Sequence, residues 1–231
     1  MRRLLRIGVV SILATVALIS LSLPAHASFS LSFDNGSIYA ASSIPVYATK
    51  GDMMDGMKVT AFFTGGGSQV LSWADTGSGS GGVSGTGWSL NESGDTFGNK
   101  WTLVSTSKSI DKVFIEGFPG NTVFDINLPS PGTTGSAKGW TVQPYTTGYD
   151  IAAKYTDRVE LSGFSPVGDL WQSLSIAFTN NKPLNDGTFL FVADTDNALD
   201  LRKVSVPEPS ILLLFGAGLV GLGLIRKKFK N

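Results

Sequence analysis

Near the end of the chain, Asp194-Thr195-Asp196-Asn197 and Asp200 set side-chain oxygens at alternate and neighbouring positions. A hard cation such as calcium takes oxygen ligands of this kind. The run is not an EF-hand loop. Ala198 stands where a ligand is expected, Leu199 where a glycine is required, and no glutamate follows in place. The same residues also read as Asx-turns capping the last strand. Gly51-Asp52 and Asp55-Gly56 offer a thinner version of the same chemistry. Calcium is the only cofactor these residues suggest, and a domain without any cofactor is the simpler expectation.

Other chemistry is excluded by what is missing. The chain has no cysteine, and its single histidine, His26, precedes the expected leader cleavage point. The mature chain then lacks both side chains. That removes Cys-His and Ser-His-Asp nucleophilic catalysis, for want of an imidazole to take the proton, and removes ordinary structural zinc sites. A carboxylate-dependent glycoside hydrolase survives, since it needs only two acids. Glu92, Glu116 and Glu160 are the glutamates between residues 28 and 206, and none sits in a recognisable catalytic context. The expectation is a non-enzymatic protein with no catalytic residue. Trp73, Trp88, Trp101, Trp140 and Trp171 could stack on sugar rings, although packing in a core is the commoner fate of tryptophan. A carbohydrate-binding module is therefore the leading alternative. Ice-binding ridges would need a regular Thr-x-Thr repeat, and none exists.

The elements that must position these residues are short strands. No stretch between residues 28 and 206 sustains a 3.6-residue apolar period. Phe29, Leu31 and Phe33 alternate with serines, and β-rich runs follow at 57–63, 69–73, 101–105, 110–115, 122–128, 159–161, 174–178 and 188–192. Turn formers punctuate them, as in Asp34-Asn35-Gly36, Phe118-Pro119-Gly120-Asn121 and Asn185-Asp186-Gly187. The pattern predicts an all-β fold, a jelly-roll-like, mostly antiparallel β-sandwich. The Gly/Ser-rich stretch 76–87 reads as a long loop within it. Between residues 28 and 206 there are 17 acidic and 11 basic residues, a net charge of −6. A surface of that sign repels phosphate backbones, so nucleic acid is not an expected partner.

Both ends carry signals. Arg2, Arg3 and Arg6 precede an apolar run from Ile7 to Leu23 that Pro24 ends. Ala25-His26-Ala27 then supplies small residues at the two positions a signal peptidase accepts, so the leader helix is expected to span residues 1–27, with cleavage between Ala27 and Ser28. At the other end Pro207-Glu208-Pro209 precedes the apolar run Ile211–Ile225 and the cations Arg226, Lys227 and Lys228. Those 15 residues reach only about 22 Å as a helix, short of a hydrocarbon core of about 30 Å. Pro209, Ser210 and snorkelling cations extend it to a marginal transmembrane span. The trailing cations place the C-terminus in the cytoplasm and residues 28–206 outside, in agreement with the leader.

The tail, residues 207–231, resembles a PEP-CTERM sorting signal: a Pro-Glu-Pro motif, a short glycine-containing apolar helix and a basic end. The same tail type also carries an ice-binding-protein C-terminal label. The resemblance implies a Gram-negative host in which an exosortase-type system recognises the motif and cuts nearby. It further implies passage from an inner-membrane intermediate to the cell surface or the extracellular polysaccharide matrix. The middle, through GDMMDGMKVTAFF, SGDTFGNKW and VADTDNALD, resembles a domain of exported PEP-CTERM proteins that brings no assigned catalytic residue.

Overall fold

Alternating burial marks the strands: along Trp88–Ser93 the side chains of Trp88, Leu90 and Glu92 point inward while their neighbours face water. The structure, a computed structural model, describes residues 27–126, 132–133, 139–163 and 167–204. The leader helix up to residue 26 and the apolar tail helix fall outside them, so neither expectation is met or refused. Among the described residues no helix is long and apolar enough to cross a membrane. The chain is all-β, with 60% strand and 4% helix.

In chain order the strands are β1 (Phe29–Ala41), β2 (Ser43–Val46), β3 (Lys58–Phe63), β4 (Ser68–Ser72), β5 (Ala74–Gly77), β6 (Ser80–Gly85), β7 (Trp88–Ser93) and β8 (Trp101–Ser105). They continue with β9 (Ile110–Glu116), β10 (Thr122–Asp125), β11 (Gln143–Pro144), β12 (Ile151–Leu161), β13 (Leu170–Phe178), β14 (Gly187–Val192), β15 (Thr195–Leu199) and β16 (Arg202–Lys203). One sheet runs β11-β14-β8-β7-β6-β5. The larger sheet follows β16-β1-β12-β13-β10-β15-β2 and branches at β13. There β9 pairs with Ser173–Ala177 and β10 with Leu170 and Trp171, so two successive strands share one edge. The branch carries β3 and β4.

One core lies between the sheets. Val59, Val113, Ile115, Tyr155, Leu174 and Ile176 meet Leu90, Trp101, Leu103, Phe189 and Phe191. A smaller cluster holds Ala41, Ile44, Val123, Val159, Leu161 and Leu170. The strand β12 feeds both, Ile151 to Tyr155 the first and Val159 with Leu161 the second, and Asp157 between them takes a left-handed φ of 65°.

The strands are mostly antiparallel, as expected: all strand pairs among the described residues are antiparallel except β1 and β12, which pair in parallel with Phe29 opposite Ile151. A long crossover makes this allowable. The stretch 76–87 is not a loop but most of the hairpin β5–β6, continued by β7. Gly81, Gly82 and Gly85 are there for close approach. A Cβ on Gly81 would collide with the Gly51 carbonyl and the Trp73 indole, and one on Gly85 with the Trp88 indole.

At the centre Trp101 stacks on Phe191 with ring centroids 5.8 Å apart and gives its N–H to the Ala193 carbonyl at 2.9 Å. Trp101→Ala removes the ring and leaves that carbonyl without its donor. It should lower the unfolding free energy by about 3–5 kcal/mol in urea denaturation, while Val70→Ala, on the exposed face of β4, should stay within about 0.5 kcal/mol.

Candidate functional site

The residues with chemistry gather where the ends of β10 and β14 meet the β7–β8 loop. Trp101 fixes Ala193, and the next residue, Asp194, sits at the step from β14 to β15. The backbone N–H of Asp125, the last residue of β10, donates to the Asp194 carbonyl at 3.1 Å. Thr96 arrives from the β7–β8 loop. Its hydroxyl lies 3.3 Å from Asp194 Oδ1 and accepts the Thr195 N–H at 3.1 Å. Asp125, Asp194 and Asp196 thereby bring carboxylate oxygens within 4.8 Å of one another, and each residue is exposed by 1% or less.

Burial, with Asp196 and Asp125 adding like charge, pushes the Asp194 carboxyl up to about 8. The Tyr155 hydroxyl lies close enough to feel both Asp194 and Asp125, and burial first and these charges second raise its pKa. That hydroxyl accepts the Val142 N–H at 2.8 Å. Three carboxylates so placed could hold a hard cation. Of the sequence-predicted calcium ligands, the structure brings Asp194 and Asp196 together and leaves two apart. The Asn197 amide donates to the Met53 carbonyl and accepts from Thr49, while Asp200 accepts from the Ser42 hydroxyl. Asp125 comes from a distant strand, and nothing in its local sequence points to it. Asp52 accepts the Gly79 N–H at 2.7 Å, apart from this group.

A second buried acid lies on β7. Glu92 is 1% exposed, and desolvation first, then the charges of Asp95 and Asp52, raise its pKa to about 8 against partial relief from the Gly51 amide. Glu116 is half-buried at the end of β9, and desolvation with Asp157 raises its pKa too. Glu160 is paired with Arg158.

Beside the aspartates runs an aromatic groove of about 350 Å³, lined by Phe97, Gly98, Trp140, Gln143, Tyr145 and Val192. Four tryptophans are core residues, as expected for most, and Trp140 is 39% exposed. It packs on Phe97 at 5.5 Å. Tyr145, 52% exposed, carries Lys100 Nζ 4.5 Å above its ring.

The comparisons with known proteins speak to the tail. A PEP-CTERM protein-sorting motif lies at residues 205–228. It supports an exported, surface-directed protein processed by an exosortase-type system. The match holds Pro207, Glu208, Pro209, Arg226, Lys227 and Lys228, all outside the described residues, as is Ala25. Ala27 and Ser28 lead into β1. No family model matches the sandwich. No curated protein and no solved structure matches the chain.

Asp194 and Glu92 make stability depend on pH. Both carboxyls hold a proton in the folded chain up to about pH 8, whereas the unfolded chain releases it near pH 4. The stabilisation is complete below pH 4 and is lost as pH rises through about 8, by at most about 1.4 kcal/mol per unit for each group. The Tm should fall between pH 5 and pH 9, and Asp194→Asn with Glu92→Gln should flatten the slope.

Proposed function

We propose that this chain is an exported, non-enzymatic protein of the bacterial envelope or the extracellular polysaccharide matrix. Signal peptidase removes the leader after Ala27. The tail then holds the chain in the inner membrane, with residues 28–206 outside, until an exosortase cuts at Pro207-Glu208-Pro209. The observation that carries this reading is the sorting motif at residues 205–228. Two prolines deny the segment a helix and keep it extended at the membrane surface, where a peptidase needs an accessible strand. The short apolar run behind them halts translocation for the cut.

The non-enzymatic part rests on where the acids lie. The aromatic groove has no carboxylate in its lining, and the groove around Thr64, Phe178 and Lys182 has only Asp111. The acids with pKa values near 8, Asp194 and Glu92, are buried and line neither groove. We take the domain to work without a cofactor, calcium being the ion to which Asp125, Asp194 and Asp196 are suited.

In the native host, removal of residues 207–231 should abolish display. Immunodetection should find the truncated protein in the periplasm or medium and the wild type, shortened by the cut, in the surface or matrix fraction. Unchanged destination and mass would overturn the sorting reading.

One observation favours the carbohydrate-binding alternative: Trp140 and Tyr145 present rings beside Gln143 and Lys100, an apolar face with polar donors at its edge. A sandwich of net charge −6 suits neutral sugars better than acidic ones. Affinity electrophoresis of the exported protein through hydroxyethyl cellulose or galactomannan should show retardation that Trp140→Ala and Tyr145→Ala each weaken about tenfold. Equal mobility with and without both polysaccharides would remove this reading and leave the sorting reading intact.

A further inference from the structure

We propose that Asp150 is the receptor for the new amino terminus created at Ser28 when the leader is removed. The inference rests on cleavage after Ala27, as read above, and adds what the fold does with the end produced. The Ser28 N–H donates to Asp150 Oδ1 at 2.7 Å and the Ser28 hydroxyl to the same oxygen at 2.9 Å. The Ser28 carbonyl accepts the Ile151 N–H at 2.8 Å. Ser28 is therefore clamped by two successive residues at the point where β1 joins β12, one residue before the pair Phe29–Ile151. Ala27, on the leader side of the scissile bond, is exposed.

The carboxylate is built to meet positive charge. Asp150 is 5% exposed. Lys182 Nζ lies 3.1 Å from Oδ2, on a side chain that is itself half-exposed. The Ser28 amide, then Lys182, the Ser28 hydroxyl and Asn180 hold the Asp150 pKa well below the usual carboxylate range, so the acid is ionised at any pH the exterior offers.

Peptidase action changes the donor without needing to move it. Hydrolysis of the Ala27–Ser28 bond adds one water. The carbonyl carbon keeps its own oxygen and takes the water's, becoming the leader's carboxylate. The nitrogen keeps its proton and gains the water's two to become an ammonium. A neutral amide with one N–H becomes a cation with three, already at hydrogen-bond distance from a buried carboxylate. Charge-assisted bonds of this kind are roughly twice as strong as neutral ones. Leader removal thus converts a hydrogen bond into an ion pair that tightens the first strand onto the sheet.

The test uses the processed protein recovered from the native host. Its amino-terminal sequence should begin at Ser28. Its α-amino pKa, read from the pH dependence of labelling by an amine-reactive reagent, should lie at least about one unit above the ordinary value of about 7.7–8.0, which makes labelling at pH 7 about tenfold slower. Asp150→Asn should restore the ordinary value. Lys182→Ala, a change at a half-exposed side chain, should raise the α-amino pKa further by removing the competing cation, and it keeps the test decisive if Asp150→Asn does not fold. An amino terminus elsewhere would overturn the cleavage reading and this inference together. A free Ser28 with an ordinary pKa in the wild type would overturn the inference alone.

Discussion

Two indoles in contact hold the chemistry of this sandwich in place. Trp73 and Trp101 pack with ring centroids 5.2 Å apart, both essentially without exposure. Each gives its N–H to a backbone carbonyl, Trp73 to Gly51 at 2.8 Å and Trp101 to Ala193 at 2.9 Å. Buried indoles require such partners, and the partners here are the residues that precede Asp52 and Asp194. One aromatic pair thereby fixes two acidic neighbourhoods: the Gly51 turn beneath Glu92, and the β14–β15 step that carries Asp194 into contact with Asp125 and Asp196. The energy that permits such burial comes from the rings around them, Phe124, Phe189 and Phe191.

This arrangement has a cost. Carboxyls that must stay neutral to remain buried are destabilising whenever solvent pH favours ionisation. Stacked rings on rigid strands offset that cost without relieving it, because neither Trp73 nor Trp101 faces a carboxylate with its N–H. Both donors are used on the backbone. The acids are therefore held by shape, and the charge problem is answered by protonation and by the neighbours that Asp125 and Asp196 have of their own.

Much of this was legible in the residues. Period-two alternation marks β8 and most of β9, where Trp101, Leu103, Val113 and Ile115 point inward and their neighbours outward. The hairpin β5–β6 was not, and the reason is specific. Gly81 and Gly85 lie under indoles and against backbone, where a side chain would collide, so the segment that supports two tryptophans reads as a flexible linker. The parallel pairing of β1 with β12 joins residues about 120 positions apart, and no local pattern encodes it. The acidic group was half visible for a similar reason. Asp194 and Asp196 share a strand junction, whereas Asp125 reaches them through the pairing of β10 with β15. Trp140 is exposed although it follows a glycine just as buried Trp88 does; it lies in the irregular stretch before edge strand β11, outside any strand.

The two ends of the described chain also meet on one element. Ser28 is clamped at the start of β1, and the Val204 N–H donates to the Ile38 carbonyl at 2.8 Å further along the same strand. The short β16 just before Val204 pairs with Tyr39 and Ala40. Ser28 and Val204, near the two ends of the described chain, therefore both sit at β1, about 30 Å apart along it at roughly 3.3 Å per residue. A first strand paired in parallel with β12 cannot be part of a simple hairpin. It can close only once β12, about 120 residues further along, is in place, and the Ser28 nitrogen that anchors its start on Asp150 is the atom that the proposed cleavage after Ala27 would free.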